Sequence, residues 1–211
     1  MDIKTCGIKD EAALDAVLAR GATHVGFIFF PRSPRHIDPE EAARLATHIG
    51  ERARTVAVTV DADDSTLDAI IETVEPNMLQ LHGSETPERV AEVRARYGRA
   101  IVKAFSVRET ADLERTSAYD GPLLFDAKPP KGADLPGGNG VGFDWAVLEG
   151  FDRPFWLSGG LHEGNVAEAV RRVRPAGLDL SSGLESAPGM KDVARIHRFF
   201  DALDAALQET A

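Results

Sequence analysis

The chain of 211 residues contains one cysteine, Cys6. A single thiol excludes an internal disulfide, and without a CxxC or a Cys/His grouping no structural zinc site is offered. No apolar run approaches the ~20 residues that span a bilayer. The start, MDIKTCGIKD, lacks the basic-then-apolar order of a secretory signal. A soluble, reducing, cytoplasmic setting is therefore the expectation, with no membrane partner. Positive charge is also scarce: 24 Lys and Arg stand against 34 Asp and Glu, a formal net charge of −10. Such a surface repels nucleic acid and anionic lipid, so binding of an anionic substrate must rest on local positive groups. No G-x-G-x-x-G opens a first helix, which disfavours a dinucleotide-binding sheet. His24, His36, His48, His162 and His197 show no metal-ligand spacing, and no metal is expected.

What is present is a regular alternation. Short runs rich in Val, Ile and Phe fall at 2–8, 24–30, 54–60, 78–83, 100–107, 121–127, 154–160 and 177–183, often bordered by Gly or Pro. Between them lie helix-type runs: EAALDAVLAR, PEEAARLATHI, STLDAIIETV, PERVAEVRARY, GNVAEAVRRV and KDVARIHRFFDALDAAL. Pro39 and Pro87 sit near helix starts with acidic residues behind them, which suits the first turn and the helix dipole. The segment RETADLERTSAY (108–119) carries few apolar residues and reads as a short helix or a loop. Strands separated by helices must run parallel. Eight such units at roughly 26 residues each predict an α/β fold, a (β/α)8 TIM barrel with a closed parallel sheet and outer helices. A doubly wound open sheet is the structural rival. No stretch reads as a linker, so residues 1–211 are expected to form one barrel domain. The Gly/Pro-rich segment 128–140 is long for a loop inside a domain, and a lid is the common use of such a loop.

In a barrel of this kind the site lies at the carboxyl ends of the strands. The residues there are Cys6, Arg35, His82, Asp126, Gly159 with Gly160, and Asp179 with Ser181, Ser182 and Gly183. A lone cysteine is commonly an inert buried side chain, but one at a strand end among polar residues points towards chemistry. Lys4 shares its strand face and would favour thiolate if it lies close; it could equally point outward. Asp126 follows three large apolar residues. It either caps the next loop or holds a proton near neutral pH and acts as an acid. Arg35, in the proline-stiffened loop FFPRSPRHI, could fork onto a carboxylate, with Arg32 next in line. His82 shares a face with Gln80 and is either a structural, hydrogen-bonded histidine or a substrate contact. SGG (158–160) and SSG (181–183) follow the last two strands, where these barrels recurrently bind phosphate through backbone N–H groups. The apparent lack of Lys or Arg there leaves the backbone as the main anchor.

With these residues in place, the chain resembles the phosphoribosylanthranilate isomerase family nearly end to end. The resemblance rests on KTCGI (4–8), GFIFFPRSPRHI (26–37), QLHG (80–83), FDAK (125–128), GGNGVGFDW (137–145), SGGL (158–161) and LDLSSGLESAPGMKD (178–192). It implies a (β/α)8 barrel of tryptophan biosynthesis that catalyses an Amadori rearrangement without a cofactor. The implied substrate is a small phosphorylated aminosugar, N-(5-phosphoribosyl)anthranilate, and the implied state is a monomer or homodimer. The family's catalytic cysteine falls on Cys6 and its catalytic aspartate on Asp126. Its anthranilate-carboxylate arginine falls on Arg35, and its strand-8 binding aspartate on Asp179. Asn139, where Thr or Ser is more usual, and Ser158, where Ala is common, depart from the pattern without removing a catalytic group. A related histidine-pathway isomerase would carry an aspartate at the first strand end, where this chain has Cys6. A catalytically silent phosphosugar-binding barrel is the rival from another class, and turnover separates the two.

Overall fold

The eight strand-like runs all form strands, and in chain order they hydrogen-bond into one closed parallel barrel. A computed structural model of the chain describes residues 1–127 and 142–210. The strands are β1 (Asp2–Cys6), β2 (His24–Phe29), β3 (Arg54–Thr59), β4 (Met78–Leu81), β5 (Ala100–Val107), β6 (Leu123–Ala127), β7 (Phe155–Leu157) and β8 (Gly177–Leu180). Strand β8 pairs back onto β1, with Lys4 opposite Asp179. That closure rules out the open-sheet alternative.

Six α-helices are described around the barrel: α1 (Glu11–Ala19), α2 (Pro39–Ile49), α3 (Asp64–Val74), α4 (Pro87–Tyr97), α5 (Val166–Val173) and α6 (Val193–Thr210). Local chemistry starts them. The side chains of Asp10, Asp63 and Thr86 accept the orphan N–H groups of Ala13, Thr66 and Arg89, the usual N-cap arrangement. Pro39 and Pro87 occupy first turns as expected. Each helix then buries one stripe, as α2 does with Ala42, Leu45 and Ile49. The weak segment after β5 forms a 3-10 helix, Thr110–Ala118, in which Thr116 is the buried residue. It has no apolar stripe to hold an α-helix on the barrel.

Pleat alternation divides the core in two. Cys6, Val56, Val58, Met78, Val102, Ala104, Leu124 and Trp156 fill the barrel interior. Phe27, Leu45, Leu79, Phe125, Leu157, Phe199 and others lie between barrel and helices. On β6, Leu124 and Asp126 thus share the inward face while Phe125 points out, as a period of two requires.

Some boundaries differ from the expected ones. Strands β4, β7 and β8 end two or three residues early, because the polar and Gly/Ser residues that follow turn into loops. The fragment 181–183 is no strand; Ser182–Leu184 makes a short 3-10 helix. A hairpin, β9 (Glu185–Ala187) and β10 (Met190–Lys191), then intervenes where only loop and helix were expected. The last helix begins at Val193, after Asp192, whose side chain accepts the Arg195 N–H. The expected lid segment, 128–140, lies outside the described residues.

Phe125 is fully buried, with Phe105, Phe151 and Phe155 ring centroids 4.9–6.5 Å away. Phe125→Ala should therefore lower unfolding free energy by about 3–5 kcal/mol, measured by urea denaturation.

Candidate active site

Cys6 is the last residue of β1, and its side chain enters the barrel interior just below the mouth. Lys4 does not point outward. It is fully buried, and its Nζ donates to Asp179 Oδ1 at 2.7 Å across the β1–β8 seam. Gly26 on β2 faces both side chains. A Cβ there would stand 3.0 Å from Cys6 Sγ and 3.1 Å from Lys4 Nζ, so only glycine leaves this corner open. Burial pushes the Cys6 thiol above its ordinary value; Lys4 pulls it down, and Asp179 pushes it further up. The expected influence of Lys4 is thus present in sign, but it does not decide the net direction in the unliganded site. Lys4 itself is disfavoured as an ammonium by burial, yet its attraction to Asp179 and Cys6 prevails and its proton is held more tightly than usual.

Across the mouth, Asp126 Oδ1 accepts the N–H of Ala127 at 2.8 Å, so part of the local capping role is real. Its Oδ2 stands 3.4 Å from His82 Nε2. Gln80 Nε2 lies 2.8 Å from His82 Nδ1. With the Gln80 amide donating, the neutral ring carries its hydrogen on Nε2, facing Asp126. His82 Nε2 and Gln80 Oε1 are buried without hydrogen-bond partners among the described residues. Gly159 belongs to this side: a Cβ on it would stand 3.1 Å from Asp126 Oδ1. Its place is to let the β7 loop press on Asp126.

A cavity of about 510 Å³ opens beside the last two strands, lined by Gly160, His162, Glu163, Gly164, Ser182, Gly183, Arg195 and Arg198. Both glycine-bearing triplets contribute to it. Ser181 does not line it; its Oγ donates to the Cys6 carbonyl at 3.2 Å. The expectation that no Lys or Arg gathers here is corrected. The start of α6 brings Arg195 and Arg198 to the wall, twelve or more residues beyond the triplet in sequence. At Gly183 a Cβ would fall 1.9 Å from the Leu161 carbonyl oxygen, so backbone contact dictates that glycine.

Arg35 is buried, and its stem packs on Gly7, the residue after Cys6. Its Nε and Nη2 donate to Glu185 Oε1 and Oε2, each at 2.8 Å. The carboxylate fork expected of it is therefore made inside the protein. Glu185 also accepts Lys191 Nζ at 2.8 Å and the Gly189 N–H at 3.2 Å. Burial alone would raise the Glu185 carboxyl, but Arg35 and Lys191 outweigh it and hold it at about 2. Lys191 in turn donates to the Ser181 carbonyl at 3.1 Å, joining this network to the Cys6 corner. Glu185 and Lys191 went unrecognised in the sequence, although both stand in LESAPGMKD. A second buried pair, Lys103 with Glu85 at 3.0 Å, sits under a cleft of about 300 Å³ that His82 also lines. No group of three or more His, Cys, Asp or Glu among the described residues is placed to hold a metal, and no described helix is long and apolar enough to cross a membrane.

Fold and site geometry define a (β/α)8-barrel enzyme with its polar residues converging at the carboxyl ends of the strands. Residues 3–202 match the family described as N-(5'phosphoribosyl)anthranilate (PRA) isomerase. An N-(5'-phosphoribosyl)anthranilate isomerase of Mesorhizobium japonicum is 54% identical, over all of this chain and 99% of its own. The phosphoribosyl anthranilate isomerase structure from Thermotoga maritima superimposes with a TM-score of 0.87 at 32% identity, over 97% of this chain and 99% of that one. A phosphoribosyl anthranilate isomerase solved in complex with reduced 1-(o-carboxyphenylamino)-1-deoxyribulose 5-phosphate gives 0.85 at 31%, over the same shares. The chain belongs to the N-(5'-phosphoribosyl)anthranilate isomerase family, and it is an isomerase of tryptophan biosynthesis.

The Glu185 carboxyl gives a pH test. Its folded value, about 2, lies below the ordinary 4.5, so its stabilising contribution is complete above the ordinary value and is lost as pH falls towards 2. The stability gap between wild type and Glu185→Gln should be widest near neutrality and shrink between about pH 4.5 and 2, as read from urea unfolding across that range. A gap independent of pH would show that the ionised carboxylate is not what matters.

Proposed function

We infer that the chain converts N-(5-phosphoribosyl)anthranilate to 1-(2-carboxyphenylamino)-1-deoxyribulose 5-phosphate by general acid–base catalysis without a cofactor. Cys6 serves as the base and Asp126 as the acid. The observation that carries this reading is their placement: a thiol at the end of β1 and a carboxyl near the end of β6, both on inward faces and both buried. The relative solved with a reduced carboxyphenylamino-deoxyribulose phosphate supports the substrate class. The whole chain acting as one barrel domain belongs to the same proposal.

The reaction opens the sugar ring and then moves hydrogen from C2′ towards C1′. Protonated Asp126 gives its proton to the ring oxygen, and the C1′–O bond breaks to leave a Schiff base. The Cys6 thiolate then removes the C2′ proton, the electron pair shifts to the nitrogen, and the enolamine tautomerises to the ketone. His82, whose Nε2–H faces Asp126, is placed to stabilise that carboxylate after it has given up its proton. The phosphate occupies the cavity at Gly160, Ser182 and Gly183, where backbone N–H groups and the guanidinium of Arg195 supply positive potential, joined by Arg198, which shares its charge with Glu163 3.6 Å away. Arg35 gives two of its five donors to Glu185. The others remain for the anthranilate carboxylate, so Glu185 aims the guanidinium. Asp179, already held by Lys4, completes the floor of the site between the two anchors. Anchoring a substrate at both ends fixes the reacting carbons between acid and base.

Cys6→Ser and Asp126→Asn should each lower kcat by roughly 10²–10⁴-fold with a smaller change in KM. The measurement is a fluorescence assay following loss of the substrate. Near-wild-type kcat in either variant removes that residue from the mechanism. Loss of all turnover in the wild type would favour a silent binding barrel.

The phosphate assignment separates two neighbours. Ser182→Ala should be mild, because its backbone donor survives. Gly183→Ala should raise KM by at least about tenfold, because the new methyl meets the Leu161 carbonyl and displaces the loop. Inorganic phosphate should compete with substrate. Competition that is absent in the wild type, or unchanged in Gly183→Ala, would place the phosphate elsewhere.

A further inference from the structure

Lys4 is a buried ammonium to which the acid–base mechanism assigns no task. Val56, Val58, Met78, Val102, Leu124 and Trp156 fill much of the interior, and a buried ion pair is often no more stabilising than apolar residues of the same volume. The Lys4–Asp179 pair is therefore poorly explained as packing. Its position is more informative. Lys4 Nζ is fixed by Asp179 Oδ1 at 2.7 Å, and both Nζ and Cys6 Sγ lie about 3 Å from the one point that Gly26 leaves empty. Residue 26 without a side chain leaves room for the ammonium and the thiol at the same corner.

We propose that Lys4 is a positioning residue for catalysis: a permanently protonated ammonium, locked by Asp179 against Cys6, that stabilises the thiolate while Cys6 acts as base. The proposal rests on the reading of Cys6 as that base. In the step itself the C2′–H bond breaks and an S–H bond forms. The electron pair passes through C1′ to the Schiff-base nitrogen, and the proton ends on Sγ. Lys4 keeps its own proton throughout. Its charge is what the thiolate loses as a partner when it becomes a thiol.

Among the described residues the leading charged groups acting on Cys6 come from three elements: Lys4 on β1, Asp179 on β8 and Lys191 on β10. Lys191 reaches the corner through the Ser181 carbonyl and is clamped by Glu185, so among the described residues Lys4 is the main cation at the sulfur. Burial raises the thiol, Lys4 opposes that, and Asp179 adds to it. The two partners of the ion pair thus act on the thiol with opposite signs, which gives their removal opposite expected effects.

Because Cys6 is the single cysteine, the thiolate absorbance in the ultraviolet reports this group alone in the unliganded enzyme. Iodoacetamide alkylation against pH provides a second reading. In Lys4→Met the thiol should titrate at least about one unit higher, so the thiolate fraction at neutral pH falls about tenfold. The acid limb of kcat/KM should move up with it. In Asp179→Asn the thiol should titrate lower than in wild type. An unchanged titration in Lys4→Met, or shifts of the same sign in both variants, would overturn the proposal. Should Lys4→Met fail to fold around an unpaired Asp179, the double variant Lys4→Met/Asp179→Asn decides. A thiol above the wild-type value there supports the assignment, and one at or below it overturns it. Full activity in Cys6→Ser would refute the base reading separately, since the titrations do not depend on turnover.

Discussion

The pairing of β8 with β1 is the constraint on which the rest of this molecule depends. Hydrogen bonds along that seam turn eight strands into a closed barrel, and their register sets Lys4 directly opposite Asp179. One residue of slip would send Lys4 and Cys6 to the outer face together, since side-chain direction alternates along a strand. Closure also carries β8 next to β1 in space, although Asp179 and Lys4 are 175 residues apart. The buried ion pair and the thiol beside it are thus consequences of how the sheet closes.

Above that seam the mouth is organised as two linked charge networks. One is Lys4, Asp179 and Cys6; the other is Arg35, Glu185 and Lys191. The Ser181 residue joins them, its hydroxyl on the Cys6 carbonyl and its own carbonyl on Lys191. Charges this deeply buried are tolerated when each finds an opposite partner and further hydrogen bonds. Glu185 meets that condition with Arg35, Lys191 and the Gly189 N–H. The hairpin β9–β10 that supplies Glu185 and Lys191 therefore acts as a brace between the β2 loop and the β8 loop.

The opposite side of the mouth is built differently. Asp126 and His82 sit with few partners, and His82 Nε2 and Gln80 Oε1 are left without hydrogen bonds among the described residues. Unpaired buried polar atoms are expensive and tend to persist where a bound molecule completes them. The ion-paired β1–β8 side and the under-satisfied β4–β6 side together describe a site with a charge-paired floor and an open demand for hydrogen bonds.

Much of this was written in the sequence. The alternation of apolar runs and one-sided helices determined the eight units, and the position of each polar residue in or just after the later part of its run determined that Cys6, Arg35, His82, Asp126 and Asp179 converge. Those signals are local: period two, period 3.6, and the Gly, Pro and Asp residues that end elements. Tertiary structure decided the pairings. That Arg35 forks onto Glu185, that Arg195 and Arg198 line the cavity at Gly183, that Ser181 turns to Cys6, and that Gly159 serves Asp126 while Gly160 faces the cavity could not be read along the chain. Each depends on which loops the closed barrel sets side by side. The net direction of the Cys6 thiol belongs to the same class, because the Lys4 neighbour is visible in the sequence while the burial that outweighs it exists only once the barrel has closed.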